Sequence, residues 1–277
     1  MADRSAGRAG DVGTRAVSAL VLAPIIFGAV WLGGWIFAGL SAIAAAILVS
    51  EWSGISRGRY VDAAVVAGGG LAAGSVLGFA GGHVSAAFAL LVAGAAAAGL
   101  IARSQGASRA LWLGVVYAGV PAMALVALRA DPEFGFAAMI WLLAVVWATD
   151  IGGYVFGRLI GGPKLAPLVS PKKTWAGFVG GLAGAVAAGW VVCRFAFPAA
   201  SAPIWLAGVL SVVSQAGDLA ESAFKRRFGV KDSSRLIPGH GGLMDRIDGL
   251  VAAVVVAAAI GIARTGPDAA GSGLLVW

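Results

Sequence analysis

The order of apolar and polar residues along this chain is that of repeated membrane crossings. Continuous apolar runs recur at residues 16–32, 34–54, 61–80, 84–102, 110–128, 135–157, 176–197, 203–222 and 247–264. Runs of about 17–25 apolar residues are long enough to cross a hydrocarbon core as a helix. They show no two-residue alternation, so they predict helices rather than the strands of a barrel. In a bilayer the backbone must satisfy its own hydrogen bonds, which a helix does within one segment. The expected fold is therefore an all-α integral membrane protein, a polytopic bundle of nine transmembrane helices. The first two runs meet at Gly33–Gly34, a very tight connection, so that pair also reads as re-entrant. The segment MADRSAGRAGDVGTR has the basic start of a secretory leader. The run after it has full span length and no clear small-residue cleavage site, so a retained first helix is expected.

Composition supports the same class. Hydrophobic residues make up 60% of the 277 positions and charged residues 12%, too few polar groups to cover a soluble globule. The net charge of +7 would suit nucleic acid, but its distribution says otherwise. With the N-terminus in the cytoplasm, Arg4, Arg8, Arg15, Arg57, Arg59, Arg103, Arg109, Arg158, Lys164, Lys172, Lys173, Lys225, Arg226, Arg227, Lys231, Arg235 and Arg246 all fall on the cytoplasmic side. That is 17 of the 20 Lys and Arg residues, leaving Arg129, Arg194 and Arg264 opposite. The positive-inside rule gives this asymmetry. The charge reads as topology, with no nucleic-acid partner, and places the chain in the cytoplasmic membrane with its N-terminus inside. Cys193 is the single cysteine, which excludes an internal disulfide. The chain reads as one polytopic domain over 1–277, with 1–130 as scaffold and 135–265 carrying the chemistry. Glycines four apart, Gly177 and Gly181, Gly180 and Gly184, permit close helix approach. That spacing serves a contact within the chain or a homodimer equally.

Carboxylates at the edge of apolar spans are the informative exception, because a charge there is costly. Asp150 ends the run MIWLLAVVWATD, Asp218 and Glu221 sit late in the eighth run, and Asp245 and Asp248 open the ninth. Asp218, Ser222 and Lys225 share a helical face, as do Asp245 and Asp248. Two readings stand: structural ion pairs with the nearby Lys and Arg, or a site for a hard cation such as Mg2+, which prefers carboxylate oxygen. Two loops favour the second. Gly161–Gly162–Pro163–Lys164 leads to Ser170–Pro171–Lys172–Lys173–Thr174, just before a helix start whose amides favour anions. Residues 222–248, SAFKRRFGVKDSSRLIPGHGGLMDRID, place basic residues before a glycine-rich turn and aspartates after it.

This last stretch resembles the signature of the phosphatidate cytidylyltransferase (CDP-diacylglycerol synthase) family. Ser222, Lys225, Arg226, Lys231, Asp232, Pro238, His240, Gly241, Gly242, Asp245, Arg246 and Asp248 fill its fixed positions. The segments Asp150-x-x-x-Tyr154 and Ser170–Thr174 are similar to the family as well. The resemblance implies transfer of CMP from CTP to phosphatidate, giving CDP-diacylglycerol and pyrophosphate, with Mg2+ as cofactor and a second cation as an open question. It implies metal ligation by Asp218 and Asp245, then Asp248 and Asp150. Catalytic roles fall to Asp218, Asp245, Asp248, Lys225, His240 and Arg246. Substrate contacts fall to Lys172, Lys173, Thr174, Ser222, Arg226, Lys231, Asp232 and Tyr154, the last also placed to orient Asp150. His240 is either a donor to phosphate or a turn residue bonded to backbone. The implied partners are CTP, phosphatidate and membrane lipid.

Three rivals are weighed. A cation transporter needs polar residues across the whole membrane, and the outer halves of these spans have almost none. A CDP-alcohol phosphotransferase needs Asp-Gly-x-x-Ala-Arg, whereas Asp248–Gly249 is followed by Leu-Val-Ala. A non-catalytic lipid-binding scaffold would leave the carboxylates idle. An enzyme acting on another lipid phosphate is the nearest alternative in chemistry.

Overall fold

The computed structural model describes residues 20–106, 110–239 and 241–277. Helix α1 (Leu20–Leu32) is followed after one residue by α2 (Gly34–Arg57), and the two are separate helices. The joint is Gly33, whose φ of 65° is a left-handed conformation that glycine adopts without a Cβ clash. Then come α3 (Ala63–Ala80), α4 (Val84–Ser104), α5 (Leu111–Ala130), α6 (Gly135–Leu159), α7 (Trp175–Val191), α8 (Ile204–Arg227), α9 (Met244–Thr265) and the short α10 (Ala270–Leu275). Between α6 and α7, where the sequence suggested only a loop, strands β1 (Lys164–Ala166) and β2 (Ser170–Thr174) pair antiparallel as a small hairpin.

Among the described residues, seven helices are long and apolar enough to cross a membrane: α2 to α6, α7 with its π-helical extension to Ala196, and α9. The chain is a multi-pass helical membrane protein. The other two expected spans differ for physical reasons. The described part of α1 is shorter than a span. Helix α8 is long enough, but its second half carries Asp218, Glu221, Lys225, Arg226 and Arg227. Large apolar side chains such as Ile43, Val66, Val92 and Leu100 point outward, the arrangement a lipid solvent accepts.

The chain divides into two compact units, residues up to Gly119 with Val230–Ile247, and Val120–Gly229 with Asp248–Trp277. In the first, small residues bring α2, α3 and α4 together. A Cβ on Gly68 would meet Ala98 Cβ at 2.8 Å and Val115 Cγ2 at 2.9 Å. Asp62 caps α3 by accepting from Val65 N at 3.0 Å and forms an ion pair with Arg57.

In the second unit, α6 and α7 meet along glycines. A Cβ on Gly177 would lie 2.7 Å from Gly153 O, and one on Gly181 would lie 2.8 Å from Thr149 O. One on Gly184 would lie 2.8 Å from Ala148 O, and on Gly180 the ring of Phe156 fills the space. The close approach that the four-residue spacing suggested is therefore made within the chain. Thr149 Oγ1 lies 3.0 Å from Ser211 Oγ of α8, and Trp141 Nε1 donates to Gly189 O at 3.1 Å. Buried Asp131, between α5 and α6, accepts from Glu133 N and Phe134 N at 2.9 Å and from Ser272 N of α10 at 2.6 Å. Burial alone would raise its carboxyl pKa, but the backbone donors from Phe134, Ser272 and Glu133 outweigh it and hold the group below its ordinary value.

Candidate active site

In the second unit, three helices each deliver one aspartate. Asp150 lies in the second half of α6, Asp218 in the second half of α8 and Asp248 near the start of α9. Asp248 is within electrostatic reach of Asp218, Asp150 and Lys225. Lys173, in β2 of the hairpin, places Nζ 2.5 Å from Asp218 Oδ2. Ser222, one turn along α8, reaches Asp218 Oδ1 at 3.4 Å, a long contact. The hairpin thus delivers one of the paired lysines to the acidic group, while Lys172 is exposed.

Lys225 has a different setting from the one its spacing suggested. It is buried and donates to Glu221 Oε1 at 2.9 Å. Glu221 is itself buried and pairs one turn along α8. Thr174 is buried as the N-cap of α7 and accepts from Gly177 N at 3.1 Å, so its hydroxyl completes a helix start. Tyr154 is exposed and accepts from Arg158 Nη1 at 2.9 Å, one turn further along α6 from Asp150. Arg226 is exposed at the end of α8. Among the described residues, no three His, Cys, Asp or Glu side chains are close enough to form a ready metal cage. The aspartates are neighbours rather than a closed ligand set.

The first unit holds the stretch 231–243. His240 lies outside the described residues. Ile237 N donates to Gly241 O at 2.8 Å, closing the turn, and Gly241 has a φ of 84°. Asp245, in the first turn of α9, accepts on Oδ2 from Ser233 N at 2.8 Å and Gly242 N at 3.0 Å, with Ser233 Oγ 3.0 Å away. Its carboxylate therefore organises the loop before it. Arg246 is exposed. A cavity of about 920 Å³ opens in this unit, and Lys231, Asp232, Arg235, Tyr60, Ser50 and Glu51 are among its lining residues. A space of that size accommodates a nucleotide-sized ligand.

Glu51 did not figure in the sequence reading, although a signal for it exists. It is a carboxylate inside the apolar run AAAILVSEWSG, where the cost of charge marks a residue with a task. It is 2% exposed and accepts from Ser233 Oγ, Ser234 Oγ, Leu243 N and Met244 N. Arg235, Tyr60 and Ser50 line the cavity with no sequence motif to mark them.

Fold and site together define a polytopic membrane protein that carries acidic side chains, flanked by lysine and arginine, at the ends of its helices. The chain belongs to the cytidylyltransferase family, whose model matches residues 13–262. It is 43% identical over 260 residues to the phosphatidate cytidylyltransferase of Brucella suis biovar 1 (strain 1330), covering 92% of this chain and 95% of the relative. Shorter matches join it to phosphatidate cytidylyltransferases of Haemophilus influenzae (strain ATCC 51907 / DSM 11121 / KW20 / Rd) and Staphylococcus haemolyticus (strain JCSC1435). The first is 46% identical over 143 residues, half of each chain. The second is 44% identical over 147 residues, 49% of this chain and 52% of the relative.

Proposed function

We propose that this chain transfers CMP from CTP to phosphatidate, releasing pyrophosphate and forming CDP-diacylglycerol. The observation that carries this reading is the near full-length similarity to phosphatidate cytidylyltransferases, joined to an aspartate group in contact with a lysine. An oxygen of the phosphatidate phosphate attacks the α-phosphorus of CTP. The bond from that phosphorus to the bridging oxygen breaks, and its electron pair leaves with pyrophosphate. Both reactants are anions, so the residues must screen their repulsion and align them.

Asp150, Asp218 and Asp248 are the expected Mg2+ ligands. Three carboxylates repel one another, and their oxygens are the donor type that Mg2+ selects; the bound ion would supply neutralisation of phosphate charge. Lys173, already at Asp218, holds phosphate beside these carboxylates. Lys231 and Arg235 line the first unit's cavity and bind anionic groups there. Lys225, buried against Glu221, keeps a fixed positive charge within reach of Asp248.

The lipid substrate keeps its chains in the bilayer and CTP comes from the cytosol. The basic loops therefore face the cytoplasm, with the N-terminus on that side and nine crossings in which α1 and α8 also take part.

The test uses CTP labelled at either the α- or the γ-phosphate, with purified protein in detergent. Phosphatidate should carry α-label into the organic phase only when Mg2+ is added, while γ-label stays aqueous as pyrophosphate. Equal or faster labelling of a polyprenyl phosphate would reassign the lipid substrate. No labelled lipid with any acceptor would refute the reaction.

A further inference from the structure

Glu51 is a buried carboxylate on α2, and its four hydrogen bonds have a specific division. Oε1 accepts from Ser234 Oγ at 2.7 Å and Leu243 N at 2.8 Å. Oε2 accepts from Ser233 Oγ at 3.0 Å and Met244 N at 2.7 Å. Each oxygen thus takes one serine hydroxyl and one backbone amide. Hydroxyls rotate to suit a neighbour, but the two amides point where the backbone fixes them. Only a side chain with acceptors at both ends satisfies them, and a glutamine in either orientation aims its own N–H groups at a backbone N–H.

The partners lie at the two ends of one loop. Ser233 and Ser234 follow Lys231 and Asp232, while Leu243 and Met244 lead into α9. The first amides of a helix have no partner within it and favour a negative charge, so α9 gains a capping carboxylate from a distant helix. Ser233 Oγ also lies 3.0 Å from Asp245 Oδ2, which links the Glu51 contact directly to Asp245. Gly242 fits so closely that a Cβ there would lie 2.5 Å from Glu51 Oε1 and on top of Ser233 Oγ. Within the glycine-rich turn, Gly242 is a seat for Glu51.

Resting on the CMP-transfer reading above, we propose that Glu51 is a positioning residue for the reaction. Its carboxylate clamps both ends of the 231–243 loop and thereby sets Asp245 and the cavity residues Lys231 and Arg235. Lys231 and Arg235 act on the substrates; Glu51, with Asp245, acts through the loop that carries them.

The test compares the full-length chain in detergent with Glu51→Gln, Glu51→Asp and Ser234→Ala, each quantified as folded protein by size exclusion. Glu51→Gln leaves a buried amide opposed, so kcat per folded molecule should fall roughly tenfold or more. The KM for CTP should stay within about threefold, since the lost term is alignment rather than uniform binding. Glu51→Asp keeps the charge and should recover part of kcat. A second readout needs no turnover. Lys231 and Arg235 are exposed, and trypsin should cut there faster in Glu51→Gln, while cleavage at Arg226 and Arg227 on α8 stays unchanged.

Unchanged kcat in folded Glu51→Gln overturns the proposal, whether or not proteolysis rises, because the clamp would then be structural only. Should Glu51→Gln fail to fold, Ser234→Ala decides. It removes one of four donors, and a fall in kcat of a few fold supports the proposal, whereas wild-type kcat overturns it. Absence of CMP transfer in the wild-type chain would refute the functional reading instead, with the trypsin pattern still reporting the clamp.

Discussion

Two adjacent glycines of α6 should respond oppositely to the same substitution. A Cβ on Gly152 would lie 2.5 Å from Gly180 O, 3.1 Å from Gly180 C and 3.2 Å from Gly181 Cα. All three are backbone atoms of α7, so no rotamer relieves the contact and the helices must part. Overpacking of this kind costs about 1–3 kcal/mol, against which alanine returns about 0.5–1 kcal/mol of helix preference over glycine. Gly152→Ala should therefore be net destabilising by about 1–2 kcal/mol. At Gly153 the nearest atom is Gly177 O at 3.6 Å, an ordinary contact, so Gly153→Ala should be neutral or stabilising by about 0.5 kcal/mol. Thermal unfolding in detergent, followed by tryptophan fluorescence, should show Gly152→Ala melting several degrees below wild type at about 2–4 °C per kcal/mol. Gly153→Ala should melt at or above wild type. Turnover should follow, because Asp150 lies two residues before Gly152 and the hairpin bearing Lys173 leads into α7. A Gly152→Ala protein as stable as wild type would refute the close backbone seam between α6 and α7.

Other outcomes follow from named contacts. Asp131 is held below its ordinary 3.8 by backbone donors, so its folded pKa is lower than its unfolded one. Its stabilisation is complete above the unfolded value and is lost as pH falls through the folded value. Asp131→Asn should thus lower the wild-type melting temperature at neutral pH, and the difference should shrink below pH about 4. Lys225→Met removes an ion-pair partner of the buried Glu221, so the yield of folded protein should drop. Adding Glu221→Gln should restore the yield while CTP turnover stays below about a tenth of wild type, the loss of a charge-assisted contact. Recovery of full turnover in that double variant would leave Lys225 with charge compensation alone.

The helical bundle was legible because apolar runs of span length are a direct consequence of the bilayer. Asp150, Asp218 and Asp248 were legible for the same reason, since charge at the edge of an apolar run is expensive. Other parts depend on tertiary contacts that spacing cannot specify. Thr174 is a substrate contact by the family resemblance, and the structure gives its hydroxyl the N-cap of α7, which the resemblance does not indicate. Lys225 shared a face with Asp218, yet Glu221 at four residues' distance is the partner at 2.9 Å. Asp245 is bound to the loop before it through Ser233 and Gly242, long-range and backbone bonds that no periodicity shows. Glu51 carries the signal of a carboxylate inside an apolar run, but its four partners lie more than 180 residues away in sequence, so no spacing reveals its role. The hairpin at 164–174 is too short for alternation to declare it.

The most direct measurement is the rate of lipid-linked CMP formation by Asp218→Asn, per folded molecule, across a range of Mg2+ concentrations. Asparagine keeps the size and a carbonyl oxygen but removes the charge that meets Lys173 and that the proposed reaction assigns to Mg2+. The rate should fall by about a hundredfold or more at any Mg2+ level, as for loss of transition-state charge stabilisation, with the melting temperature little changed. A folded Asp218→Asn protein turning over CTP and phosphatidate at near wild-type rate would contradict the account.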